Sequence, residues 1–107
     1  MKEKLVRDYI PRIIKEDGRN PQWRVAEPQE VLGLLIDKLG EEIDELIKSE
    51  SKEERKAEAG DVLEVTRSIF KLFDVSLADS VVAAHNKRTA RGGFDKRIVL
   101  TLNEETK

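Results

Sequence analysis

Two acidic pairs with the same spacing dominate the chemistry that this sequence can offer: Glu42 with Glu45, then Glu58 with Asp61. At about 100° per residue, Leu35, Leu39, Ile43 and Leu46 form one apolar stripe, with Glu42 on its edge and Glu45 roughly 60° further round. Glu58 falls near the centre of a second stripe made by Val62, Val65, Ile69 and Phe73, and Asp61 lies on its flank. A carboxylate aimed at its own core must be neutralised by a proton, a cationic side chain or a metal, because burying it unpaired costs several kcal/mol. Four such groups point to a divalent cation. With no cysteine and a single histidine, His85, an oxygen-only donor set selects hard ions such as Mg²⁺ or Mn²⁺, which keep waters for a substrate phosphate. The competing reading is a solvated face laced by ion pairs, with Lys38 and Glu42 at i,i+4. Two pairs on consecutive segments, both turned toward the apolar side, favour the metal. Gly40 and Gly60 each sit beside an acidic pair. Mid-helix glycine costs about 0.8 to 1.0 kcal/mol against alanine, so a close approach by a second backbone or a ligand is expected there.

Two long helices have to carry these acids. The first is expected from Pro28 to about Lys48, with Val31, Leu32, Leu35, Leu39, Ile43 and Leu46 facing the core. Ser51 with Glu54 makes a capping box, so the second should begin at Lys52 and run to Leu72 or Phe73. So short a connection makes the helices antiparallel. Both pairs then lie roughly six residues from the turn, about 9 to 10 Å along the helix axis, and meet at one height. Upstream, residues 5–10 fit either an extended segment or a helix lead-in. Pro11 opens a short helix to Glu16 with Ile13 and Ile14 inward, ended by Asp17-Gly18. Residues 19–27 read as an ordered loop that lays Trp23 on the bundle as a packing residue. Downstream, Ser76 with Asp79 caps another helix through Leu77, Val81, Ala84 and Arg88 to about Ala90, ended by Gly92-Gly93. Lys87, Arg88 and Arg91 on its last turns fit either compensation of the helix dipole or a phosphate clamp. The tail from Arg97 to Leu102 suits a strand or an extended arm, and Asn103 to Lys107 are expected to fray.

The chain has 107 residues, which fits one domain, 1–107, that an oligomer would help to bury its apolar surface. Charged residues make up 39% and aromatics 5%, yet net charge is only -2, so no strong field draws nucleic acid or an anionic membrane. The basic stretch from Lys87 to Arg97 lacks base-stacking partners beyond Phe94. No apolar run could span a bilayer, and Met1 to Lys4 lead into no signal-peptide core, so a cytoplasmic setting is expected. A di-iron bundle would need an acid three residues before a histidine, and Val82 holds that place before His85. There is no Walker A loop, no GxGxxG and no EF-hand.

Glu41-Glu42-x-x-Glu45 followed by Glu58-x-x-Asp61 resembles the ExxE, ExxD motif of the MazG-like, all-α nucleoside triphosphate pyrophosphohydrolases. Lys4-Leu5-Val6-Arg7-Asp8 near Ile10-Pro11, and Lys87-Arg88-x-x-Arg91-Gly92-Gly93-Phe94, resemble the phosphoribosyl-ATP pyrophosphohydrolase-like branch. The similarity spans roughly residues 4 to 100. It implies an all-α antiparallel bundle of the MazG-like type, completed by oligomerisation to a dimer or tetramer, with a short extended C-terminal arm. It implies Mg²⁺-dependent cleavage of a nucleotide between its α and β phosphates, with Mn²⁺ as a possible substitute. By position, Glu42, Glu45, Glu58 and Asp61 would hold the metal and Glu41 would support them or act as base, while Lys38, Lys87, Arg88 and Arg91 would steady the polyphosphate. Removal of damaged or surplus nucleotides is the expected role. The alternatives are the phosphoribosyl-ATP step of histidine biosynthesis and a non-catalytic helical module, against which the intact acids argue, since carboxylates on an apolar face are usually replaced at no loss of stability.

Overall fold

Local chemistry sets where each helix starts and stops. In the computed structural model, which describes residues 2–106, α1 covers Ile10–Glu16. Pro11 occupies its first turn, where an amide N–H has no helical acceptor to lose. The helix ends in a Schellman arrangement: Gly18, at φ +85°, donates to Lys15 O and Arg19 donates to Ile14 O, at 3.0 and 3.2 Å. Pro28–Glu30 form a 3-10 turn that leads directly into α2, Val31–Lys48. Helix α3 is Lys52–Leu72. Ser51 Oγ accepts the Glu54 N–H at 3.1 Å, and Glu54 Oε2 accepts the Glu50 N–H at 3.0 Å, one residue earlier than a reciprocal box would place it. At the far end Asp74 takes a left-handed conformation, φ 58°, and a second Schellman pair, Asp74 N to Lys71 O and Val75 N to Phe70 O, closes the helix. The residues 49–51 turn α3 back along α2, and the two pack on each other.

Contacts divide the chain after Val75, and the part from Ser76 onward is a second compact unit. Its helix α4, Leu77–Arg91, is capped by Ser76 Oγ on the Asp79 N–H at 3.0 Å and stops at Gly92, φ +83°. Residues 97–102 form no strand, and no strand occurs among the described residues, so the all-α expectation holds. Asn103 to Thr106 make an ordered turn instead of fraying: Asn103 Oδ1 accepts the Glu105 N–H at 3.0 Å and Thr106 Oγ1 accepts the Asn103 N–H at 2.9 Å. Met1 and Lys107 lie outside the described residues.

The apolar stripes are only partly covered. Leu35 on α2 and Val65 on α3 are the buried apolar residues among those described, while Val31, Leu39 and Leu46 are half-buried. Leu32 and Ile43, expected in the core, are 37% and 40% exposed, and Ile13 and Ile36 are about half exposed. A helix with one neighbour can bury only part of an apolar stripe roughly 100° wide. Trp23 does not reach the hairpin either. It is 66% exposed and lines a shallow hollow with Pro11, Arg12 and Lys15 of α1. No helix is long and apolar enough to cross a membrane.

Because Ser51 satisfies a first-turn N–H that no other side chain reaches, Ser51→Ala should lower stability by about 1 kcal/mol in urea titration. An unchanged midpoint would mean that packing against α2 alone decides where α3 begins.

Candidate active site

The hairpin brings three of the four expected acids together. Glu42 from α2 and Glu58 and Asp61 from α3 each offer a carboxylate oxygen within 4.8 Å of the others. Glu42 is 7% exposed, and Glu58 and Asp61 are half-buried. The fourth, Glu45, lies three residues after Glu42, on an exposed part of α2 and outside this trio. Its charge still reaches the site, because it is the largest of the neighbouring charges that act on Glu58.

Electrostatic compensation is uneven. Lys38 Nζ lies 3.2 Å from Glu42 Oε1 and 3.6 Å from Glu41 Oε1, one helical turn back on α2. Arg7 Nη2 donates to Asp61 Oδ1 at 2.7 Å, and Lys4 Nζ donates to Glu41 Oε1 at 2.9 Å. Among the described residues no cation pairs with Glu58. Its Oε2 is buried without a hydrogen-bond partner. Loss of water around it, then the charges of Glu45, Asp61 and Glu42, push its pKa above the ordinary carboxylate range. Glu41 moves the other way, since the Lys4 ammonium and then Lys38 hold it below that range. A carboxylate so stabilised is better suited to anchoring two ammonium groups than to accepting a proton.

This arrangement fits a hard divalent cation. The donors are all carboxylate oxygens, they converge to within the span of one coordination shell, and one of them is buried without a hydrogen-bond partner. The fit uses Glu42, Glu58 and Asp61 directly, and Glu45 sits at its margin. At Gly40 and Gly60 the expected approach of a second backbone does not occur. A Cβ at either position would meet nothing within 4 Å, so no protein atom of the chain makes a close approach there.

Lys4 and Arg7 were not singled out as site residues by spacing, because they act across the sequence on α2 and α3. Their segment is tied down at its root by Arg24, whose guanidinium bridges both oxygens of Glu3, at 3.1 and 3.2 Å, and both oxygens of Glu30, at 2.9 and 2.8 Å. Arg24 and then the Glu27 N–H lower the Glu30 pKa to about 2. A cleft of about 440 Å³ lies between this segment and α2, lined by Lys4, Leu5, Leu34, Lys38 and Glu41 among others. The trio does not line the cleft but shares Lys38 and Glu41 as neighbours on α2. Lys87, Arg88 and Arg91 are exposed on α4, in the second unit, where Arg88 Nη2 lies 3.9 Å from Asp95 Oδ2.

A model of the family described as phosphoribosyl-ATP pyrophosphohydrolase matches residues 6–88, well over half of the chain. That span contains Arg7, Glu41, Glu42, Glu45, Glu58 and Asp61. No curated protein and no solved structure matches.

The raised pKa of Glu58 fixes a sign. Protonation of this group favours the folded state, so its contribution is present below its ordinary value of 4.5 and lost as pH rises through the raised one. Glu30 acts oppositely: its contribution is present above 4.5 and lost as pH falls toward about 2. In metal-free buffer Glu58→Gln should therefore melt higher than the parent protein near neutral pH, with the gap closing in acid. Thermal melts with a chelator across that pH range check it, and a lower Tm for the variant at neutral pH would refute the strain assigned to Glu58.

Proposed function

The chain belongs to the phosphoribosyl-ATP pyrophosphohydrolase family, and from that footing we propose that it is a Mg²⁺-dependent nucleotide pyrophosphohydrolase that breaks an α–β phosphoanhydride bond and releases pyrophosphate. The observation that carries the reading is the convergence of Glu42, Glu58 and Asp61 around a buried, unpartnered Glu58 oxygen. The family match favours phosphoribosyl-ATP, and with it a place in histidine biosynthesis, over the damaged or surplus nucleotides first expected from the sequence. A cytoplasmic setting suits either substrate.

Glu42, Glu58 and Asp61 would hold the ion, and Glu45 is the proposed fourth ligand on the strength of its place beside Glu42 on α2 and of its charge on Glu58. Mn²⁺ would fit the same donors. When bound, the ion supplies Lewis-acid polarisation of phosphate oxygens and makes water a stronger nucleophile at neutral pH. Lys38 sets a positive charge 3.2 Å from Glu42 Oε1 from the side of α2, so that both of its oxygens need not be satisfied by the metal. Glu41 fixes Lys4 and Lys38 at the entrance of the cleft, where they favour an incoming polyphosphate. Lys87, Arg88 and Arg91 remain proposed phosphate ligands through the family resemblance.

The same reading includes self-association. With Leu35 and Val65 as its buried apolar residues, and Leu32, Ile36, Ile43, Ile47 and Leu63 exposed along α2 and α3, the hairpin lacks the burial that ordinarily offsets chain entropy. A second copy would cover these faces. Sedimentation at micromolar protein should show a dimer or a tetramer, and a stable monomer would remove this part of the proposal.

A pyrophosphate-release screen over phosphoribosyl-ATP and ordinary, deoxy and modified nucleotides, with Mg²⁺ or Mn²⁺, should find turnover with phosphoribosyl-ATP highest. Glu58→Gln and Asp61→Asn should each lower turnover on the order of a hundredfold or more while helical circular dichroism is retained. Release of no pyrophosphate from any of these, beside a Tm that still rises with Mg²⁺, would leave the non-catalytic module as the better description.

A further inference from the structure

The acids near the site outnumber the cations that meet them. Glu41, Glu42, Glu58 and Asp61 face Lys4, Arg7 and Lys38, and Glu45 adds a further negative charge close by. The three cations are not alike. Lys38 belongs to α2 itself, and its side chain is only 18% exposed. Lys4 and Arg7 come from residues before α1 that carry no regular secondary structure, and their side chains are 52% and 58% exposed. They can turn away while α2 and α3 stay in place. The Arg24 bridge between Glu3 and Glu30 sits immediately before Lys4, so such a turn would swing from a fixed root.

We infer that Lys4 and Arg7 neutralise the carboxylates when no divalent cation does, and pass to the phosphate oxygens of the substrate once one is bound. The inference rests on the metal-dependent reading above and extends it to two residues outside the acidic motif. Its physical basis is competition for the same charge. A divalent ion among Glu42, Glu58 and Asp61 removes much of the attraction that holds the Arg7 guanidinium at Asp61, and repels it in addition. A polyphosphate arriving at that moment offers the guanidinium a better partner, since its planar fork matches two phosphate oxygens at once. Lys4 already lines the cleft beside Lys38 and Glu41, so its ammonium is within the space that a nucleotide would enter. The segment thus serves both states of the site. It limits repulsion in the empty one and steadies the substrate in the filled one.

The test measures binding instead of turnover. Mn²⁺ affinity is read by electron paramagnetic resonance without nucleotide, and affinity for α,β-methylene adenosine triphosphate, which cannot be cleaved at that bond, is read by calorimetry with Mn²⁺ saturating. Arg7→Gln should bind Mn²⁺ alone several-fold more tightly, because a competitor is gone, and should bind the analogue about tenfold more weakly, because a charge-assisted contact is lost. Lys4→Gln should shift both in the same directions by less. Arg7→Lys keeps the charge but not the fork, so it should restore ordinary Mn²⁺ affinity and only part of the analogue affinity. If Arg7→Gln loses helical signal, Arg7→Lys decides the question through the analogue alone. Unchanged or weakened Mn²⁺ binding in a folded Arg7→Gln protein, or unchanged analogue binding in either Arg7 variant, overturns the inference while leaving the metal site standing. Failure of the parent protein to bind Mn²⁺ overturns both.

Discussion

Repulsion among like charges is the constraint around which this hairpin is built. Glu42, Glu58 and Asp61 stand closer together than carboxylates tolerate in a low-dielectric setting unless positive charge is supplied. Two of the three receive it from the chain itself, through Lys38 and Arg7. The third, Glu58, does not, and its buried oxygen carries the unrelieved part. A protein selected only for stability would replace such a group with an apolar one at little cost. Keeping it is consistent with a site whose occupant comes from outside.

Most of the scaffold was legible from local chemistry. Ser51, Ser76, Pro11 and Gly18 each announce a helix boundary through a mechanism that acts within a few residues, and the structure places the boundaries where they predict. The height match of the acidic pairs follows from counting residues to the turn. Other features depend on distant partners and were not legible. Arg7 and Asp61, like Lys4 and Glu41, are far apart in the chain, and no periodicity links an irregular segment to a helix face. Glu45 is exposed, in keeping with the roughly 60° that separates it from Glu42, while its charge still acts on Glu58. Asn103 looked like the start of a frayed end because composition does not reveal a side-chain turn closed by Thr106.

The apolar stripes show a second limit of sequence periodicity. It identifies which residues want to leave water but not how many neighbours are present to receive them. Leu35 and Val65 are satisfied by the contact between α2 and α3, whereas Leu32, Ile43 and Leu63 require another surface. The contact between α2 and α3 therefore buries only part of the apolar stripes, while it is enough to bring Glu42, Glu58 and Asp61 together.

Only a three-residue connection separates the helices that supply the acidic trio, so all of it falls between Glu42 and Asp61. Contacts so near in sequence close quickly, since little loop entropy is spent in making them. During synthesis the hairpin can therefore form, and bring its three acids together, as soon as α3 clears the ribosome. The carboxylates would thus meet while the stretch from Ser76 onward is still emerging.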